Sequence, residues 1–432
     1  MAKDPLNNKK INKSTLFIFL GFITLFILGI MAYSLRTNDI PSICPYPDGK
    51  NFAFTITADP DVDKLEKDKL IYEFLTKVGL RTTIAVWVKD STRSTGIPDT
   101  AIPDKNGDSC ERKDYLKYMQ ELQKRGFEIA MHTVSSGNDY REETIKGYEK
   151  FKEYFGAYPK INIMHSTNLE NVYWGKKVVE NGLLRKLISL FTKHGDYPYG
   201  GEIPQSKYFW GDILKEKTKY VRLWGTSDIN TLKFNPSMPY HNPKKPYVNY
   251  WFSFSNAFDV EGFNQLLSKK NIERLIKERG ASIVYLHFYS FVSNGKLNAT
   301  FKSRIKTLTR QKDGWFVPAS TLLDRLLLMK KVKLTVNGSE LFVTNFNHVD
   351  VDSITVLVQP NEVLYNPKSI QMKANGEGEI VLKSLKPGET SMLFRDRKLM
   401  EPRNEYPTTF EKLNMIFQRS LVYIKRNQGE LF

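Results

Sequence analysis

The sequence predicts an α/β protein in which a parallel sheet or barrel is covered by helices. Three observations predict it. Short runs rich in β-branched and aromatic residues are bounded by turn signals, runs of helical period lie between them, and the two kinds alternate through residues 51–330. Such hydrophobic strands fit a sheet buried on both faces.

Phe52 to Thr57 alternates bulky and small side chains and stops at Ala58-Asp59-Pro60-Asp61, which reads as a strand ending abruptly. Lys64 to Val78 carries Leu65, Leu70, Ile71, Phe74, Leu75 and Val78 near helical spacing, with Gly79 as its stop. Arg81 to Val88 reads as a buried strand, Asp114 to Arg125 as a helix ended by Gly126, and Phe127 to Met131 as a strand. Glu142 to Phe155 follows as a helix and Lys160 to Met164 as a short strand. Late in this region Ala281 to Leu286 reads as a strand, and Ala299 to Arg310 and Ser320 to Met329 read as helices. Between Leu183 and Phe258 the pattern weakens into a stretch rich in Tyr, Trp, Pro and Gly, as in a long functional insertion.

From Lys331 the composition changes. Val332–Val336, Glu340–Thr344, Ser353–Val358 and Glu379–Leu382 are short strands separated by turn residues such as Asn337-Gly338, which predicts a small β-sandwich over 331–397. The tail, 398–432, includes an amphipathic helical pattern from Phe410 to Lys425 with several basic residues; it fits an anionic membrane surface or packing on its own domain.

The 432 residues also open with a membrane signal. Residues 16–35 are uncharged and apolar, close to the ~20 residues that span a bilayer core. Lys3, Lys9, Lys10 and Lys13 precede this run, so residues 1–15 are expected in the cytoplasm and everything beyond a polar linker at 36–50 outside it. The expectation is a single-pass anchor; the run is longer than a signal peptide's apolar core and lacks a good cleavage site. The net charge of +17 suits an anionic partner, but Lys and Arg are spread along the chain without an aromatic-interleaved basic cluster, so no nucleic-acid partner is expected. Cys44 and Cys110 lack metal-type spacing; in an exported domain they either form one disulfide or remain two unlinked thiols.

Four strand ends carry groups suited to chemistry: Asp59 and Asp61, His132, His165 and His287. Polar residues at the C-terminal ends of parallel strands are where sites of such folds form. Imidazoles and carboxylates suit a zinc-like ion with an open position for water. A further carboxylate would take a proton from that water and a histidine would protonate the leaving group. Tyr208, Trp210 and Trp251 offer platforms for sugar rings. His194 and His241 lie in the long stretch and would border the mouth, whereas His348 reads as a surface residue.

The sequence from Phe54 to Asp61, Gly126-Phe-Glu-Ile-Ala-Met-His132-Thr133, Leu286-His287 and Gly314-Trp-Phe-Val-Pro318 together resemble the motifs of the polysaccharide deacetylase family, the NodB-homology or carbohydrate esterase 4 group. The resemblance covers roughly residues 50–330. It implies a distorted (β/α)7-type barrel, with Asp59 as general base, Asp61 and His132 as metal ligands and His287 as general acid. Three departures stand out. Pro60 splits the paired aspartates, so the roles of Asp59 and Asp61 are exchangeable. The second histidine of the second motif falls near Ser136. Ile163-Met-His165-Ser occupies the place of the Arg-x-Pro motif, so His165 is expected to replace the missing ligand.

The resulting expectation is a metal-dependent deacetylase, zinc being the metal, acting on a cell-surface or extracellular polysaccharide. The alternatives are a non-catalytic glycan-binding or assembly protein on the same fold and a glycoside-cleaving relative whose two carboxylates do the work.

Overall fold

The computed structural model describes residues 40–178, 197–366 and 370–394. The apolar run 16–35, His194 and the tail 398–432 lie outside the described residues. Among the described residues no helix is long and apolar enough to cross a membrane.

The stretch expected as a linker contains a strand, β1 (Ser42–Cys44). Seven parallel strands follow: β2 (Phe52–Asp59), β3 (Thr83–Val86), β4 (Glu128–His132), β5 (Ile161–Ile163), β6 (Tyr220–Thr226), β7 (Tyr250–Phe258) and β8 (Ala281–His287). Each pairs with the next, and β8 pairs back onto β2 in continuous register from Ala53↔Ala281 to Asp59↔His287, so the barrel is closed. Helices α1 (Leu65–Lys77), α2 (Lys113–Lys124), α3 (Arg141–Phe155), α4 (Gly211–Lys217) and α5 (Thr231–Phe234) each lead from one strand to the next. Two helices, α6 (Val260–Leu266) and α7 (Lys269–Lys277), lead into β8. A hairpin of β9 (Val292–Ser293) and β10 (Lys296–Leu297), the helix α8 (Ala299–Thr309) and β11 (Gly314–Trp315) come next.

Two of the seven strands, β6 and β7, fall in the stretch where the sequence pattern fades. Their apolar pattern is broken by buried polar residues on both faces: Arg222 in β6 points into the barrel, and Ser253 and Ser255 in β7 face α5, where they meet Asn235 and Thr231. The supposed long insertion therefore contains part of the barrel wall.

The N-terminal end of the barrel is closed by α9 (Ala319–Met329). Four alanines, Ala53, Ala85, Ala130 and Ala281, leave space that Leu322, Leu323, Leu326 and Tyr46 fill in one apolar cluster. The first turn of α9 is capped from within: Ala319 N–H donates to Thr83 Oγ1 (2.8 Å) and Ser320 N–H to Glu128 Oε2 (3.0 Å).

Beyond α9 come β12 (Val332–Asn337), β13 (Glu340–Asn345), β14 (Val351–Leu357), β15 (Val363–Tyr365), β16 (Gln371–Lys373), β17 (Glu379–Leu385) and β18 (Thr390–Phe394). They form two sheets, β1-β14-β17 and β12-β13-β18-β15-β16, which share an apolar core of residues such as Leu334, Val343, Ile354, Val356 and Leu393. The first sheet has two buried faces. Val356 joins that core, while its neighbour Leu357 joins the cluster at the closed end of the barrel. Arg279, just before β8, donates to Glu379 Oε1 at 2.6 Å and fastens this module to the barrel.

Cys44 and Cys110 are both free and buried, in separate apolar clusters, so the disulfide does not form.

Candidate metal and catalytic site

The C-terminal ends of β2, β4, β5 and β8 meet at the open end of the barrel. The β2–β8 register makes Asp59 and His287 direct partners, and β4 pairs with β5 at His132↔Ile163. Two residues past Asp59, the carboxylate of Asp61 lies among three imidazoles. Its Oδ2 is 3.2 Å from His132 Nε2 and 3.5 Å from His287 Nε2, and its Oδ1 is 3.1 Å from His165 Nε2.

The outer nitrogen of each ring fixes its tautomer. His132 Nδ1 is 3.0 Å from the Ile163 carbonyl, His165 Nδ1 is 2.9 Å from Asn168 Oδ1, and His287 Nδ1 is 3.2 Å from the Phe258 carbonyl. Asn168 spends its own amide N–H groups on the Gly137 carbonyl and Glu170, which leaves Oδ1 to accept. These oxygens can only accept, so each neutral ring carries its proton on Nδ1 and turns the Nε2 lone pair towards Asp61. Lone pairs facing a carboxylate repel unless a proton or a cation lies between them. Asp61 Oδ2 and His132 Nε2 are buried and lack hydrogen-bond partners. Ordinary hydrogen bonding therefore leaves these atoms unsatisfied, and the donor set fits a divalent cation.

The electrostatics agree. Burial disfavours the charged form of both Asp61 and His165, yet their mutual attraction outweighs it. Asp61 is held well below the ordinary carboxylate range and His165 is raised to about 9. The pocket thus favours a positive charge beside Asp61. The ligand atoms of Asp61, His132 and His165 lie within 4.8 Å of one another, as do those of Asp59, Asp61 and His287.

Asp59 has a different partner. Arg222 of β6 donates to both its oxygens, at 2.8 and 2.5 Å, and to Thr57 Oγ1 at 3.1 Å. The guanidinium lies against the edge-to-face pair of Phe254 and Tyr285, whose centroids are 5.2 Å apart, at 5.1 and 4.5 Å from them. Gly225 makes this possible, because a Cβ there would lie 2.7 Å from the Phe254 ring. Arg222 was not foreseen; a single arginine in an apolar run gives no hint that it points inward.

Two backbone features hold the ligands. Thr133, directly after His132, has φ +51, a left-handed conformation uncommon for a β-branched residue. Its N–H donates to the Ile163 carbonyl that also receives His132 Nδ1. Gly107 (φ +91) lets its loop press on the turn before Asp61, since a Cβ there would lie 2.5 Å from the Pro60 oxygen and 2.9 Å from the Trp87 ring. The Trp87 ring in turn lies 5.7 Å from His132 and 6.1 Å from His165. Ser136 has no part in the ligand set and donates to the Asp104 carbonyl.

The expected sugar platforms are corrected. Trp210 and Trp251 are 1% exposed and belong to the core outside the barrel. Trp210 Nε1 donates to the Glu170 carbonyl, and Tyr208, also buried, donates its hydroxyl to Asp99. None of the three presents a ring face to a ligand. His241 lies next to Asn249, ahead of the N-terminal end of β7, and not at the mouth. His348 is exposed in the loop before β14.

No family model matches the chain, and no curated protein matches it by sequence. Solved structures do. A probable polysaccharide deacetylase from Pseudomonas aeruginosa PAO1 aligns at 10% identity and TM-score 0.39, over 66% of this chain and 94% of that one. PuuE allantoinase aligns at 11% identity and TM-score 0.40, over 66% and 93%. The peptidoglycan deacetylase PdaC from Bacillus subtilis aligns at 14% identity and TM-score 0.30, over 65% and 92%. The chain, a closed barrel of seven parallel strands, is similar to solved structures that include polysaccharide deacetylases.

Proposed function

We propose that this protein is a metal-dependent deacylase that removes acyl groups from a cell-surface or extracellular polysaccharide. The observation that carries the reading is the convergence of three tautomer-locked imidazoles on the Asp61 carboxylate. Asp61, His132 and His165 would hold a divalent cation, zinc in this reading, which polarises an acyl carbonyl and acidifies bound water. Asp59, charge-balanced and oriented by Arg222, takes the proton from the attacking water. His287, cross-strand from Asp59, serves as the acid in its doubly protonated form, with Nδ1–H held by the Phe258 carbonyl and Nε2–H given to the departing sugar nitrogen or oxygen. The buried Trp87 ring beside His132 and His165 keeps bulk water from the ligands.

The uncharged run at 16–35 and the lysines before it support an uncleaved anchor with the barrel on the far side of the membrane. A second reading, a glycan-binding protein without turnover, is favoured by one observation: Arg222 engages both oxygens of Asp59.

Metal analysis of the full-length protein, with acetate release from chitotetraose as the assay, separates these readings. The expected result is one zinc per chain and released acetate. Asp61→Ala and His132→Ala should lose both, and Asp59→Asn should keep zinc while losing turnover. A protein with neither zinc nor acetate release refutes the deacylase reading. Zinc and glycan binding without acetate release would establish the second.

A further inference from the structure

One side chain touches both halves of the proton-transfer machinery. Tyr285 lies two residues before His287 on β8, so both project from the same face of that strand. Its hydroxyl is 3.2 Å from His287 Nε2, and the two rings are 5.1 Å apart at 76°. Because His287 Nδ1 faces the Phe258 carbonyl, Nε2 of the neutral ring is the acceptor and the phenol is the donor. The same Tyr285 ring lies against Arg222, 4.5 Å from guanidinium carbon to centroid, and packs edge to face on Phe254, which also touches the guanidinium. Arg222 is in turn the group that fixes Asp59.

We infer that Tyr285 is a positioning residue that couples base and acid. Its ring holds Arg222 against Asp59, and its hydroxyl aims the pocket-facing nitrogen of His287. The chemistry needs both functions at once. Asp59 must point at the water while His287 points at the leaving atom on the same acyl carbon, and a misplacement of either by about 1 Å is costly. Phe258 and Tyr289 also border the His287 ring, at 4.7 and 6.3 Å between centroids. Among these aromatic neighbours, Tyr285 is the one whose hydroxyl lies within hydrogen-bonding distance of Nε2. Without it, the ring would keep its Nδ1 anchor and lose its second point of attachment.

The inference rests on the deacylase reading, so its test has an activity arm and an arm independent of activity. Tyr285→Phe keeps the ring and removes the hydroxyl; Tyr285→Leu removes both. In the zinc-loaded full-length protein with chitotetraose, Tyr285→Phe should lower kcat about tenfold, the worth of one hydrogen bond, with KM within about twofold of the parent. Tyr285→Leu should lower kcat further, towards the level of Arg222→Met. The second arm is 15N spectroscopy of histidine-labelled protein, with the His287 signal assigned by its loss in His287→Gln. Tyr285→Phe should move the Nε2 resonance of His287 and leave those of His132 and His165 in place. A Tyr285→Phe protein with unchanged kcat and an unmoved resonance overturns the inference. If the parent protein releases no acetate, the deacylase reading falls. The resonance then decides alone whether the phenol holds His287: a shift upholds that contact and no shift overturns it.

Discussion

Asp59 and Asp61 are two residues apart on one turn, yet their surroundings divide the work between them. Asp61 has three imidazole lone pairs around it and no hydrogen-bond donor at Oδ2, so it attracts a cation. Asp59 has a guanidinium fork on both oxygens and stays paired in a buried setting. Removing the fork would leave a buried carboxylate without its counter-charge, at a cost of about 3–5 kcal/mol. Arg222→Met should therefore lower unfolding stability in urea by that order and reduce turnover. Pairing it with Asp59→Asn should recover much of the stability and none of the turnover. If Arg222→Met alone proves as stable as the parent, the ion pair is not what holds Asp59. Zinc content, measured in the same samples, should survive in both proteins, because Arg222 hydrogen-bonds Thr57 and Asp59 and not Asp61, His132 or His165.

At the scale of elements, the helices next to the site carry their own charge problem. Asp68 on α1 is fully buried, and burial together with the nearby Asp108 and Glu66 charges raises its carboxyl from 3.8 to about 8. A carboxyl with a raised folded pKa is protonated more readily in the native state than in the unfolded one. Its contribution to stability is fully present below about pH 4 and is lost as pH rises towards 8. The thermal midpoint should accordingly fall between pH 5 and pH 9, and Asp68→Asn should flatten that fall. An equal decline in both proteins would show that Asp68 does not govern it.

The elements also show what could be read from the residues and what could not. Strands β2, β3, β4, β5 and β8 announce themselves through hydrophobic runs, and their ends give away Asp59, Asp61, His132, His165 and His287. Strands β6 and β7 stay hidden because Arg222 inside the barrel and the helix-facing Ser253 and Ser255 interrupt the apolar pattern that identifies a strand. The same physics misplaced the sugar platforms. A tryptophan is amphipathic, and its buried N–H is satisfied by a backbone carbonyl 40 residues away, as Trp210 shows with Glu170, which composition cannot reveal. β1 was hidden for another reason: three residues followed by Pro45 carry too little pattern, and their partners lie some 300 positions onward in β14.

For the whole molecule, the sheet β1-β14-β17 is the joint between the barrel and the C-terminal module. One of its faces belongs to each core, and Arg279 and Arg325 add hydrogen bonds across the boundary. The two parts should melt together. All six tryptophans precede residue 331, so tryptophan emission reports the barrel, whereas circular dichroism reports both parts. The two signals should trace a single transition, and they should separate in Arg279→Ala. Separate transitions in the parent protein would show that the shared sheet does not couple the halves.

The plugged base of the barrel also sets a direction. The described chain begins at that base, next to β1, and the eight residues of β2 rise from there at about 3.3 Å each to the mouth. A tether placed ahead of β1 would therefore grip the molecule by its blind end, with the histidines roughly 20 Å further out once the tilt of barrel strands is allowed for. Held that way, the protein would graze on polymer stretching outward, and acyl groups lying close to the holding surface would be beneath its reach.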